Sequence, residues 1–96
     1  MKILAIEREL PGATAERIAP VLKAEAARAW ELTQAGIFRE LYFCQERSIA
    51  VIVLECADRD EAERVLGTLP LVREGLITFD LYPLAAYPGF ARLFGE

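Results

Sequence analysis

Ile37-Phe38-Arg39-Glu40-Leu41-Tyr42-Phe43-Cys44, Gln45-Glu46-Arg47-Ser48, Ile49-Ala50-Val51-Ile52-Val53-Leu54-Glu55-Cys56: this stretch decides the fold. Two runs rich in Ile, Val, Phe and Tyr flank a polar tetrapeptide, the pattern of two antiparallel strands joined by a hairpin loop. A four-residue loop pairs Cys44 with Ile49, and residues opposite one another share a face. One face then holds Ile37, Arg39, Leu41, Phe43, Ala50, Ile52, Leu54 and Cys56, and with Arg39 as its only charge it should lie under helices. The other face holds Phe38, Glu40, Tyr42, Cys44, Ile49, Val51, Val53 and Glu55. A sheet face left to water reads mainly polar, whereas this one is largely apolar.

Outward from the hairpin the elements follow in order. Residues 2–7 read as a short apolar strand, and Glu9-Leu10-Pro11-Gly12 breaks it. Thr14 can cap a helix whose first turn carries Glu16. From residue 15 to 35, Ala15, Ala19, Leu22, Ala26, Ala29 and Thr33 recur at helical spacing, with Ile18 and Trp30 beside them. Pro20 lacks an N–H and predicts a kink or restart there; Gly36 ends the helix. After the hairpin, Asp58 with Glu61 forms a capping-box pattern, and Ala62, Val65, Leu66 and Leu69 give the second helix its buried stripe. Gly67 and Pro70 close that helix, and residues 76–84 form the last strand, ended by Pro83. The order β-α-β-β-α-β predicts an α+β, ferredoxin-like fold: a four-stranded antiparallel sheet with two helices on one face. Residues 1–96 are read as one domain with a C-terminal arm, 85–96, carrying Tyr87, Phe90, Leu93 and Phe94.

Both helices are then spent on one side of the sheet, and something must cover the other. A second copy is the simplest cover, giving a homodimer of face-to-face sheets with the apolar arm reaching over its partner. Composition agrees: of 96 residues 54% are hydrophobic, more than the roughly half of an ordinary domain. The net charge of −4 and the lack of any basic run argue against nucleic acid as a partner. No apolar run approaches the roughly 18 residues of a membrane span, so no membrane partner is expected. A soluble, cytoplasmic chain is the expectation.

The chain has no histidine, which removes the commonest metal ligand and general base. Neither a metal nor another cofactor is expected. Cys44 and Cys56 fall at opposite ends of the hairpin, on opposite faces and over about 20 Å apart, too far for a disulfide. The acidic cluster from Asp58 to Glu63 is better explained by helix capping than by calcium.

Proton transfer needs a carboxylate or phenol whose pKa is moved by its surroundings. Glu40, Tyr42 and Asp80 are the catalytic candidates; Arg39, Tyr82, Glu7 and Trp30 are candidates for holding a substrate. Glu40 and Tyr42 share the dimer-facing side, and Asp80 and Tyr82 share a side with each other. The plainer reading has the carboxylates and phenols hydrogen-bonding across the interface, Arg39 pairing with Glu25 or Glu31, and Trp30 in the core.

The element order, the segment Gly36-x-x-Arg39-x-Leu41-Tyr42 and Leu69-Pro70-Leu71 after the second helix resemble muconolactone Δ-isomerase and its relatives. The likeness runs from Met1 to about Pro88. It implies a dimeric α+β barrel, leaves room for larger rings, and implies a cofactor-free proton shift on a small unsaturated lactone in a cleft involving neighbouring subunits. The chain departs from that pattern where Tyr42 stands for a tryptophan, and where Glu40 and Tyr87 stand for a histidine. Three functions follow: an isomerase of a lactone or related carboxylate, a non-catalytic binder of a hydrophobic metabolite, or a purely structural oligomer. Fold cannot choose among them.

Overall fold

The sheet sets its four strands in the order β2 (Phe38–Phe43), β3 (Ala50–Glu55), β1 (Lys2–Glu9) and β4 (Ile77–Pro83), with every neighbouring pair antiparallel. This is the predicted ferredoxin-like order. A computed structural model describes residues 1–95. Its elements are β1 (Lys2–Glu9), α1 (Ala15–Ile18), a 3-10 turn (Ala19–Val21), α2 (Leu22–Gln34), β2 (Phe38–Phe43), β3 (Ala50–Glu55), α3 (Arg59–Leu66), α4 (Pro70–Arg73), β4 (Ile77–Pro83) and a second 3-10 segment (Pro88–Leu93).

Local chemistry accounts for most boundaries. The Thr14 hydroxyl accepts from the Arg17 N–H at 3.3 Å and caps α1. The 3-10 turn through Pro20 separates α1 from α2, the restart that Pro20 predicts. Gly36 takes φ +79°, the left-handed exit that favours glycine after α2. At α3, Asp58 accepts from the Glu61 N–H at 2.8 Å while Glu61 accepts from the Ala57 N–H at 3.2 Å. The expected capping box therefore forms, its return bond reaching one residue further back. Pro70 does not simply close α3: it sits in the first turn of α4, where its missing N–H costs nothing.

The core fills the space between the sheet and the helices. Ile3 and Ala5 of β1, Ile52 and Leu54 of β3 and Leu81 of β4 meet Leu32, Ala62, Leu66 and Leu69. A smaller cluster of Leu71, Leu76 and Ile77 packs with Ala13, Ile18 and Val21 at the other end. Both cysteines are free thiols, and burial pushes the Cys56 thiol pKa up.

The hairpin loop closes as expected, with the Cys44 N–H donating to Ile49 at 3.0 Å, and pairing runs regularly from Phe43↔Ala50 to Glu40↔Val53. It then shifts, because Phe38 pairs with Leu54, and Arg39 is the extra residue of a β-bulge. This corrects the faces at the start of β2. Phe38, expected on the open side, is 2% exposed in the helix-side core. Arg39, expected beneath the helices, is exposed, and its Nε donates to the Gly36 carbonyl. The expected Arg39 pairing does not occur: Glu31 pairs with Arg28 at 3.1 Å, and Glu25 accepts from the Leu71 N–H. Trp30 is 62% exposed and joins neither the core nor a cavity.

Beyond Leu84, whose N–H donates to Lys2, the backbone hydrogen bonds of the described tail stay within it. Tyr87 and Phe90 meet edge to face, with centroids 5.0 Å apart, while Phe94 is 88% exposed. The Cα radius of gyration is 15.7 Å, against about 12.5 Å for a compact chain of this length. The described part of the tail thus leaves Tyr87, Phe90, Leu93 and Phe94 exposed.

The bulge supplies a test. Phe38→Ala should lower unfolding stability by about 3–5 kcal/mol, as for a buried phenylalanine, measured by urea denaturation. A loss no larger than that of the exposed Tyr42→Ala would put Phe38 back on the open face.

Candidate functional site

Strand alternation carries Ile3, Ala5 and Glu7 of β1 to the helix side, so the first carboxylate on that strand lies beneath α2. Glu25 of α2 follows Leu22 and precedes Ala26 and Ala29, which places it on the sheet-facing stripe. The side chains between helix and sheet here are small, Ala13, Ala15, Ala26, Ala29 and Ala50 among them, and they leave a cavity of about 750 Å³. Its remaining walls are chiefly Ile18, Phe38, Leu41, Ile52, Leu71 and Phe79. That volume and lining suit a small organic ligand.

Two carboxylates stand in this apolar setting. Glu7 Oε1 accepts from the Ala50 N–H at 2.8 Å, and Glu25 Oε1 accepts from the Leu71 N–H at 2.8 Å. Burial raises the Glu7 pKa above the ordinary carboxyl value, the Ala50 bond opposes it, and the negative charges of Glu9 and Glu25 add to it. Burial likewise raises the Glu25 pKa, against the bond from Leu71. Neighbouring acids that resist ionisation are what acid–base chemistry near neutrality requires.

The other candidates gather on the opposite face. The Tyr42 hydroxyl donates to Glu40 at 2.9 Å, and this bond to a carboxylate raises the tyrosine pKa. Asp80 pairs with Arg8 at 3.4 Å, and Tyr82 follows on the same face of β4. Tyr42, on the edge strand, also reaches the mouth of the cavity. A second hollow of about 450 Å³ at the end of the sheet brings Arg8, Arg47 and Asp80 beside Glu7. The structure thus joins Glu7 with Tyr42 at the cavity, leaves Glu40, Asp80 and Tyr82 on the open face, and sets Arg39 and Trp30 apart from both. Glu25 is the functional candidate that sequence reasoning missed as such. Its signal was an acid on the apolar stripe between Leu22 and Ala29.

The family model for muconolactone delta-isomerase matches residues 5–89, nearly the whole chain. This chain belongs to the muconolactone delta-isomerase family. Among solved structures it resembles 5-chloro-2-hydroxyhydroquinone dehydrochlorinase (TftG) from Burkholderia phenoliruptrix AC1100, in complex with 2,5-dihydroxybenzoquinone, at a TM-score of 0.71. Identity is 15%, over 93% of this chain and 98% of that one, so this second likeness speaks for the fold. No curated protein matches. The isomerase-family chain and this structural neighbour share an α+β, ferredoxin-like fold. No helix among the described residues is long and apolar enough to cross a membrane.

The raised carboxyls give stability a pH dependence of definite sign. Folding increases proton binding at Glu7 and Glu25, so their contribution is most favourable below the unfolded carboxyl value and is lost as pH rises through the folded values. Glu25→Gln keeps an acceptor for Leu71 without the ionisation. Its melting temperature should exceed that of the wild type by a few degrees near pH 7 and match it near pH 4. Equal melting curves at both would contradict the shift.

Proposed function

We propose that this protein is a homodimeric α+β barrel, one domain over residues 1–96, that binds a small molecule in the cavity beneath α2 and moves a proton on it. The proposed substrate is lactone-like, the chemistry needs no cofactor, and the setting is the cytoplasm. The observation that carries the proposal is the pair Glu7 and Glu25, two neighbouring carboxylates whose pKa values burial raises, at the wall of an otherwise apolar cavity. A proton shift within one molecule needs a base at one carbon and an acid at another. Two acids whose pKa values are raised by burial supply both roles, one acting as carboxylate and the other as carboxylic acid.

The dimer is supported by the open face. Leu4, Ile6, Ile49, Val51 and Val53 are half-buried there, although among the described residues no helix covers them. Completing their burial would contribute about 1 kcal/mol each, roughly half the value for a fully exposed side chain. The arm, proposed as residues 85–96, carries exposed aromatics away from its own core, a form suited to lying on a partner. In such a dimer the Glu40–Tyr42 and Arg8–Asp80 pairs come to lie between the two sheets.

Two measurements decide this. On a panel of unsaturated lactones, Glu7→Gln and Glu25→Gln should each lower kcat by about 10²–10⁴-fold while the variants stay folded. A wild type that turns over nothing in the panel, yet binds its members, would make the protein a metabolite binder instead. Native mass spectrometry should give a dimer or a multiple of it at micromolar concentration, with Val51→Asp dissociating it. A wild-type monomer would overturn the assembly.

A further inference from the structure

Three acids, Glu7, Glu9 and Glu25, line the cavity beneath α2, and no lysine or arginine does. The chain has no histidine to stand in for one. Arg8 and Arg47 line the neighbouring hollow, and Arg8 is engaged by Asp80. Glu7 and Glu25 each receive a main-chain hydrogen bond on Oε1, and among the described residues neither Oε2 has a donor. The polar complement of the site is therefore acceptors and negative charge.

That complement selects a ligand. A carboxylate would bring further acceptors and further negative charge to a wall already set with three acids, and like charges placed together are strongly disfavoured. An ammonium group would answer the charge but lose its hydration against Ala26, Ala29, Leu71 and Phe79, which return nothing for it. A hydroxyl on an uncharged ring brings the missing donor at small desolvation cost, and the ring itself suits the apolar walls. Resting on the reading of this cavity as the binding site, we propose that its ligand is an uncharged ring bearing phenolic or enolic hydroxyls that donate to Glu7 and Glu25, and that carboxylate anions are excluded. This narrows the lactone-or-carboxylate expectation to its neutral, enolisable members.

Three probes of similar size separate the charges: p-cresol, benzoate and benzylamine, titrated calorimetrically into the full chain near pH 7. The expected order puts p-cresol tightest and benzoate weaker by roughly tenfold or more. In the folded Glu7→Gln/Glu25→Gln double variant the gap between p-cresol and benzoate should close to about twofold. Ala26→Phe, which fills the cavity from the exposed side of its lining, should abolish p-cresol binding. Benzoate or benzylamine binding as tightly as p-cresol, with Ala26→Phe still abolishing it, would overturn the neutral-ligand assignment and leave the cavity as the site. Failure of all three probes, or binding indifferent to Ala26→Phe, would remove the cavity itself and this proposal with it.

Discussion

Strand β1 is paired on both sides, to β3 through Ile3↔Leu54 and Ala5↔Ile52 and to β4 through Ala5↔Leu81 and Glu7↔Phe79. A strand held by two ladders cannot slip by one residue without turning every side chain to the other face. Ile3 and Ala5 belong in the core, so Glu7 is carried beneath α2 by the same alternation. Its carboxyl stays half-buried while β1 keeps its register. Burial, the proximity of Glu25 and the bond from Ala50 all follow from that constraint.

The cavity has a cost that the rest of the fold bears. Alanines along α1 and α2 give helix propensity but little apolar area, and the space they leave forfeits contacts that larger side chains would make. Two partly desolvated carboxylates lower stability further when ionised. Cohesion rests instead on Phe38, Ile52 and Leu54 of the hairpin and on the stripe Ala62, Leu66 and Leu69 beside them. That division leaves the end of the sheet near Glu7 open, and it places Glu7 and Glu25 where packing is thinnest.

Much of this was legible in residue order. Alternation in the hairpin, the Thr14 and Asp58 caps, the interruption at Pro20 and the exit at Gly36 give the element order, and each rests on a local backbone requirement. The family resemblance read from Gly36, Arg39 and Leu69-Pro70-Leu71 held. The bulge at Arg39 was not legible, because neither glycine nor proline marks it. Burying Phe38 is worth more than keeping the ladder regular, and that preference appears only once the helices are in place. Trp30 misled for the opposite reason: an aromatic at helical spacing reads as core, yet the stripe that faces the sheet is the alanine one. Glu25 was read as a surface partner for Arg39. An acid takes a half-buried site when a donor such as the Leu71 N–H, 46 residues along the chain, waits there.

The edge strand β2 ties the two faces together. Phe38 and Leu41 line the cavity, Glu40 faces the open side, and Tyr42 touches both, bonded to Glu40 and placed at the cavity mouth. Leu41, Tyr42 and Phe43 are 45%, 58% and 68% exposed, a run of large apolar side chains on an unpaired sheet edge. Isolated edges of that kind invite association. A partner protomer or its arm laid against this edge would shield the run and wall off the cavity mouth in the same step. Water would then be excluded from Glu7 and Glu25, and their resistance to ionisation would deepen. Oligomer formation and the proposed acid–base chemistry would thereby be coupled through one strand: the edge that invites association also borders the proposed site.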